Sequence, residues 1–205
     1  MSGGRIVVVG GTGTIGSAVV AEMSRDHDVV VAGRTASLAV DLADLESIRA
    51  FTDRLREQAP LEAIVVCAGG GLLGTVDDLD LDQFLPRLSP KLRGQVAIAK
   101  AAPGLVRPGG AVVLTSGILE RRPQAGMSHL SIINASLRAF AAASATEGRS
   151  VRTCVVSPGL VEESPQEILD LFPGMPRVAA SELARVYRRL VESGSDGETV
   201  GLPEA

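Results

Sequence analysis

The chain has 205 residues, 45% of them apolar, which is enough for one domain with a sizeable core. Its net charge is −4 with no basic run, and it has four Phe, one Tyr and no Trp, which argues against nucleic acid and anionic membranes as partners. No stretch approaches a membrane span, and the opening "MSGGRIVVVGG" does not read as a signal peptide, so the expectation is a cytoplasmic protein.

Short β-branched runs alternate with helical patterns. "RIVVVG" (5–10) reads as a strand, and "TIGSAVVAEM" (14–23) as a helix with Ile15, Val19 and Met23 on one face. "DVVVAG" (28–33) is a strand and "SLAVDL" (37–42) a short one. "DLESIRAFTDRLREQ" (44–58) is a helix carrying Leu45, Ile48, Phe51 and Leu55 along one side, and "LEAIVVCAG" (61–69) is a strand. Residues 80–102 have a helical pattern, with a kink or restart expected at Pro86 or Pro90. "GAVVLTS" (110–116) is a strand, 128–147 a helix, and "VRTCVVS" (151–157) a strand. A looser segment with Pro165, Pro173 and Pro176 follows. The last elements are a helix over 180–192 and a short strand at 198–202.

The strands are continuous Val/Ile runs, so both their faces are buried. That predicts an α/β fold: one Rossmann-type, doubly wound domain over 1–205, its mostly parallel sheet flanked by helices on both faces. Cys67 and Cys154 sit in apolar runs without a C-x-x-C partner. They read as small buried hydrophobes, and no metal site is expected.

"VVVGGTGTIG" joins the first strand to the first helix. Gly11, Gly13 and Gly16 satisfy G-x-G-x-x-G, and Gly10, Gly13 and Gly16 satisfy G-x-x-G-x-x-G. With Thr12, Thr14 and Ile15, this turn is the candidate cradle for a diphosphate. Glycine lets phosphate reach the amides, and the helix N-terminus adds its dipole. The competing reading is a glycine-rich turn without a ligand. The second strand ends "VVVAGRT", where an NAD site would carry Asp or Glu. Arg34 followed by Thr35 favours the 2′-phosphate of NADP, with NAD the less favoured cofactor.

Over essentially the whole chain these motifs resemble the short-chain dehydrogenase/reductase superfamily. The turn is similar to its "GGTGTIG" variant. Asp41 and Leu42 match the aspartate near the adenine and the residue after it, although Asp41 and Asp44 could also cap the following helix. "CAGG" (Cys67, Ala68, Gly69, Gly70) matches the N-A-G stretch. "LTSG" matches the strand end with the catalytic serine, here Ser116. "SPG" followed by Leu160 and Val161 places Pro158, Gly159 and Val161 over the nicotinamide. The helix that such proteins carry between the second strand and the helix at 44 is missing here.

The family's Y-x-x-x-K pair is also missing. Aligning "NASLRAF" puts Leu130 at the tyrosine position and Asn134 at the lysine position; a one-residue shift puts His129 and Ile133 there. Tyr187 lies far away in the last helix and is expected to pack there. The N-x-x-G motif is matched by "KLRG", which puts Lys91 where the family has asparagine. If the helix restarts at Ser89–Pro90, Lys91 falls in its first turn, against the dipole, either reaching the cleft or bent into water. The candidate catalytic residues are Ser116, Lys91 and His129, although His129 also reads as a surface or capping residue. Glu162 and Glu163, in the segment where the family has its lid, read as solvated. The small residues of "AFAAASATEG" and the resemblance imply a homodimer or homotetramer. Three readings stay open: an oxidoreductase acting on an unknown carbonyl or activated alkene, an NADP(H)-binding sensor or interaction module, and an inert scaffold.

Overall fold

The computed structural model describes residues 3–70, 73–77 and 81–203. In chain order the elements are β1 (Arg5–Val9), α1 (Thr14–Met23), β2 (Asp28–Gly33), β3 (Leu38–Ala39), α2 (Leu45–Arg56), β4 (Leu61–Val66), α3 (Leu81–Ala101), β5 (Val106–Thr115), α4 (Ser128–Ser144), β6 (Arg152–Pro158), β7 (Leu160–Val161), α5 (Gln166–Asp170), β8 (Arg177–Val178), α6 (Ala180–Ser193) and β9 (Thr199–Leu202). Seven strands form one sheet in the order β3-β2-β1-β4-β5-β6-β9, with every pair parallel. The chain winds outward from β1 to β3, then crosses back to β4. The strand order therefore reverses between β1 and β4, where a doubly wound sheet opens a crevice at its carboxyl ends.

The continuous apolar strands are explained by two separate cores. Ile6 and Val8 of β1 join α1 (Val19, Met23) and α6 (Leu183, Tyr187, Leu190) on one face. Val7 and Val9 join α2 (Phe51, Leu55), α3 (Ile98) and α4 (Ile133, Leu137) on the other. The period-2 alternation of a strand thus serves both layers, so neither set can be polar. A third, smaller cluster of Ile118, Leu119, Met127, Leu160, Leu169 and Met175 lies under the segment after β6.

One local feature follows the sequence reading and another departs from it. Residues 34–37 alone link β2 to β3, with no helix between, and the parallel pairing is limited to Ala32–Leu38 and Gly33–Ala39. The helix missing from the sequence pattern is missing from the structure. In contrast, the restart expected at Ser89–Pro90 does not occur, since α3 runs unbroken from Leu81 to Ala101. Each proline removes one backbone donor, and their four-residue spacing puts both gaps on one side of the helix. Lys91 therefore lies in the middle of α3, not in a first turn.

Tyr187 is fully buried, and its hydroxyl lies 2.6 Å from Thr115 Oγ1, which also donates to the Val66 carbonyl at 2.6 Å. The chain's single tyrosine thus ties α6 to the underside of the sheet. Tyr187→Phe should cost about 1 kcal/mol, read as a lower urea midpoint with an unchanged slope. A midpoint equal to the parent's would contradict this assignment.

Candidate active site

The turn after β1 is shaped by contacts that exclude side chains. Gly10 has φ +81, and its amide donates to the Ala32 carbonyl at 2.8 Å. A Cβ on Gly16 would lie 2.0 Å from the Gly10 carbonyl oxygen, and one on Gly11 would lie 2.9 Å from Val31 Cγ1. Gly11 and Gly16 therefore let the turn close against β2 and itself. Gly13 is the N-cap of α1 and supplies no side-chain cap, so no side-chain oxygen of the cap residue shields the amides of the first turn.

A cavity of about 690 Å³ lies over this turn. Gly10, Thr12, Gly13, Arg34, Thr35, Asp41, Leu42, Cys67, Ala68, Gly69 and Gly70 line it, together with Val9, Gly33, Val40, Ala43 and Pro90. Gly11, Thr14 and Gly16 do not line it and serve the turn from behind. Arg34 is exposed and makes no ion pair with a described residue. Of the two aspartates, Asp44 is the helix cap. Asp44 Oδ1 caps α2 by accepting from the Glu46 amide at 2.9 Å, while Asp41 Oδ1 accepts from the Ala43 amide at 2.9 Å and remains on the cavity wall.

A second cavity, of about 300 Å³, shares Gly69 with the first and lies against Ser116, Lys91 and Asn134. It also takes in Ile15, Pro158, Gly159 and Val161, four residues that the sequence assigned to the cofactor. At its floor Lys91 Nζ donates to the Ser116 carbonyl at 2.7 Å and to Asn134 Oδ1 at 3.0 Å. All three residues are buried, at 6%, 3% and 2% exposure for Lys91, Ser116 and Asn134. Lys91 and Asn134, which the resemblance aligned with the family's asparagine and lysine positions, bond each other directly. Two glycines make the room: a Cβ on Gly69 would lie 2.7 Å from Lys91 Cγ, and one on Gly117 would lie 2.8 Å from Asn134 Nδ2. Among the described residues Ser116 Oγ reaches only the Val156 carbonyl, at 3.4 Å, a long and weak hydrogen bond.

Burial brings the Lys91 ammonium down from 10.5 to about 8, against an opposing pull from Glu120. Burial likewise pushes the Glu120 carboxyl up, although Ser157, Arg138, Arg121 and Lys91 all favour its charged form. The Cys67 thiol is pushed up to about 12 by burial beside Tyr187 and Thr115, so it stays protonated.

Three expectations need correction or completion. His129 is buried in the first turn of α4, neither on the surface nor among the described residues that line the two cavities. Glu163 is exposed, as the sequence reading had it, and both its carboxylate oxygens also accept from the Ala180 amide, at 2.9 and 3.1 Å, and so anchor the start of α6. Glu162 is exposed. The sequence also missed the outer wall of the second cavity, formed by Ile118, Leu119, Ser164, Ile168, Phe172 and Met175. Its signal was the apolar spacing inside a proline-broken segment, too short for a periodicity argument.

The Lys91 shift has a consequence for stability. Between pH 8 and 10.5 the unfolded chain holds more protons at this position than the folded one, so stability rises with pH across that window. Below it both states are protonated and the cost of burying the charge is complete. From about pH 7 to 10.5 the parent should gain roughly 3 kcal/mol relative to Lys91→Met. Urea unfolding of both proteins across this range measures it, and a constant or oppositely signed difference would contradict the buried ammonium.

Comparison with known proteins accords with this geometry. A family model described as Enoyl-(Acyl carrier protein) reductase matches residues 3–191. No curated protein matches the sequence. Among solved structures, the protein lin1944 from Listeria innocua is 28% identical, with 97% of this chain and 98% of that chain covered and a TM-score of 0.89. A structure described as a small-chain dehydrogenase is 26% identical, with 98% and 96% covered and a TM-score of 0.80. One described as a small-chain dehydrogenase in complex with NADPH is 25% identical, with 98% and 96% covered and a TM-score of 0.83. The parallel sheet, its glycine turn and the family match over nearly the whole chain agree: the chain belongs to the short-chain dehydrogenase/reductase superfamily of oxidoreductases.

Proposed function

We propose that the protein is an NADP(H)-dependent oxidoreductase acting on a carbonyl or an activated alkene, with Lys91 in place of the usual tyrosine. One observation carries this reading: a cavity lined by Gly10, Gly13 and Arg34 shares Gly69 with a second one lined by Lys91 and Ser116. The residues fit a dinucleotide. The turn's closure over Gly16 leaves no room for a side chain, and α1 begins without a side-chain cap. Arg34 fits a 2′-phosphate, and the NADPH in the complexed relative supports the same choice. Asp41 would stand on the adenine side, and Ile15, Pro158, Gly159 and Val161 on the nicotinamide side.

When bound, the nicotinamide supplies or accepts the hydride. The chain's own groups then handle charge on the substrate oxygen. Ser116 Oγ polarises it, and Lys91 gives or takes the proton. Lys91 has three N–H donors and uses two on Ser116 and Asn134, which leaves one for the cavity. A group titrating at about 8 is near the optimum for proton transfer close to neutral pH. Such an acid is worth about 10²–10⁴-fold in rate, the share that the missing tyrosine would have supplied. His129, outside the cavity lining, has no part in this scheme. The outward face of α4 carries exposed Ile132, Ala135, Ala139, Ala142 and Ala143, which supports close packing against a second copy.

NADPH fluorescence titration tests the cofactor assignment. Arg34→Glu should weaken NADPH by about tenfold to a hundredfold and leave NADH nearly unchanged; equal losses would refute the phosphate contact. For the chemistry, Ser116→Ala and Lys91→Met should each lower turnover of a reducible ketone by about 10²–10⁴-fold, while Ser116→Ala leaves NADPH affinity intact. A parent that binds NADPH tightly and reduces nothing would make it a binding module instead.

A further inference from the structure

The geometry points to a compact, uncharged carbonyl compound with apolar substituents as the substrate, its single polar contact made at Ser116 and Lys91. This rests on the catalytic reading above and adds the chemical class of molecule. Among the described residues that line the 300 Å³ cavity, Lys91 has the only ionisable side chain. Opposite it stand Ile118, Leu119, Leu160, Ile168, Phe172 and Met175, which offer no hydrogen bond from their side chains. Of the nearby acids, Glu120 lines a different pocket with Arg121 and Arg138, Glu163 holds the start of α6, and Glu162 is exposed.

The lining disfavours the obvious alternatives. Lys91 has one free N–H, and Ser116 and Asn134 line the same cavity beside it, so the polar groups gather at one end. These serve the reacting carbonyl, and a carboxylate directed away from them is buried against apolar carbon at high cost. A polyhydroxylated ketone has the same problem at each hydroxyl far from that end, with Ser164 the one polar side chain on the outer wall among the described residues. The volume is at the low end for a ligand site, and the cofactor's nicotinamide side takes part of it, which favours one ring over several.

The wall is built from a segment made for that purpose. β7 and β8 pair at Leu160–Arg177 and Val161–Val178, so the chain between them forms a closed loop over the cavity. Leu169 and Met175 bury into the cluster beneath and fix the loop, while Ile168 stays 40% exposed at the rim. Ile168 can therefore be changed without loss of the core.

Saturation-transfer NMR, with and without NADP⁺, tests the inference through acetophenone, benzoylformate, dihydroxyacetone and crotonyl-pantetheine. Acetophenone should bind, and benzoylformate, which adds only a carboxylate, should bind at least about tenfold more weakly. Ile168→Arg should narrow that gap about threefold or more, and Ile168→Val should keep it. Benzoylformate, dihydroxyacetone or the thioester binding as tightly as acetophenone would overturn the inference, as would binding of none of the four. The ranking is read in the protein alone as well as with nucleotide. A failure of NADP⁺ to bind would therefore count against the proposed function and leave the pocket's chemistry judged separately.

Discussion

The site depends on a lysine ammonium taken out of water. A buried cation is tolerated only when its protons are satisfied, and the Ser116 carbonyl and Asn134 Oδ1 satisfy two of Lys91's three. These partners come from the end of β5 and from α4, while the lysine comes from α3. The contact thus ties three elements at the carboxyl end of the sheet. It also underlies the chemistry we propose, because Lys91 lines a cavity and its proton leaves more readily than that of an exposed lysine.

Everything around the ammonium makes room for it or moderates it. Gly69 and Gly117 withhold side chains where Lys91 and Asn134 pass. Glu120, partly buried and charge-linked to Lys91, opposes the effect of burial on the lysine. The apolar wall lowers the local dielectric, which strengthens polar contacts made at Lys91 and Ser116. The fold delivers this arrangement because the strand order reverses between β1 and β4, with the glycine turn on one side of the crevice and the Ser116 strand end beyond it.

Much of this was legible in the sequence. The Val/Ile runs marked β1, β2, β4, β5 and β6, and the shorter segments 37–42 and 198–202 marked β3 and β9. The turn at 10–16 was legible because its glycines answer a steric demand at particular atoms. Lys91 was visible as an oddity, yet its destination was not, because a side chain's partner across 43 residues leaves no local mark. The restart at Pro90 was misread for a related reason: a proline's effect depends on whether the carbonyl it leaves unbonded finds other relief. His129 looked like a surface residue because a lone histidine at a helix start has no periodic signal. The lid was illegible because β7 and β8 are two residues each and α5 only five, too short for any hydrophobic period to declare itself.

The most direct measurement of the central claim is a crystal structure of the protein with NADPH and an unreactive ketone analogue. The account predicts diphosphate oxygens on the amides of residues 10–16, and Lys91 Nζ within hydrogen-bond distance of the analogue's oxygen while still bonded to Asn134. A diphosphate bound elsewhere, or an analogue oxygen held by groups other than Lys91 and Ser116, would contradict it.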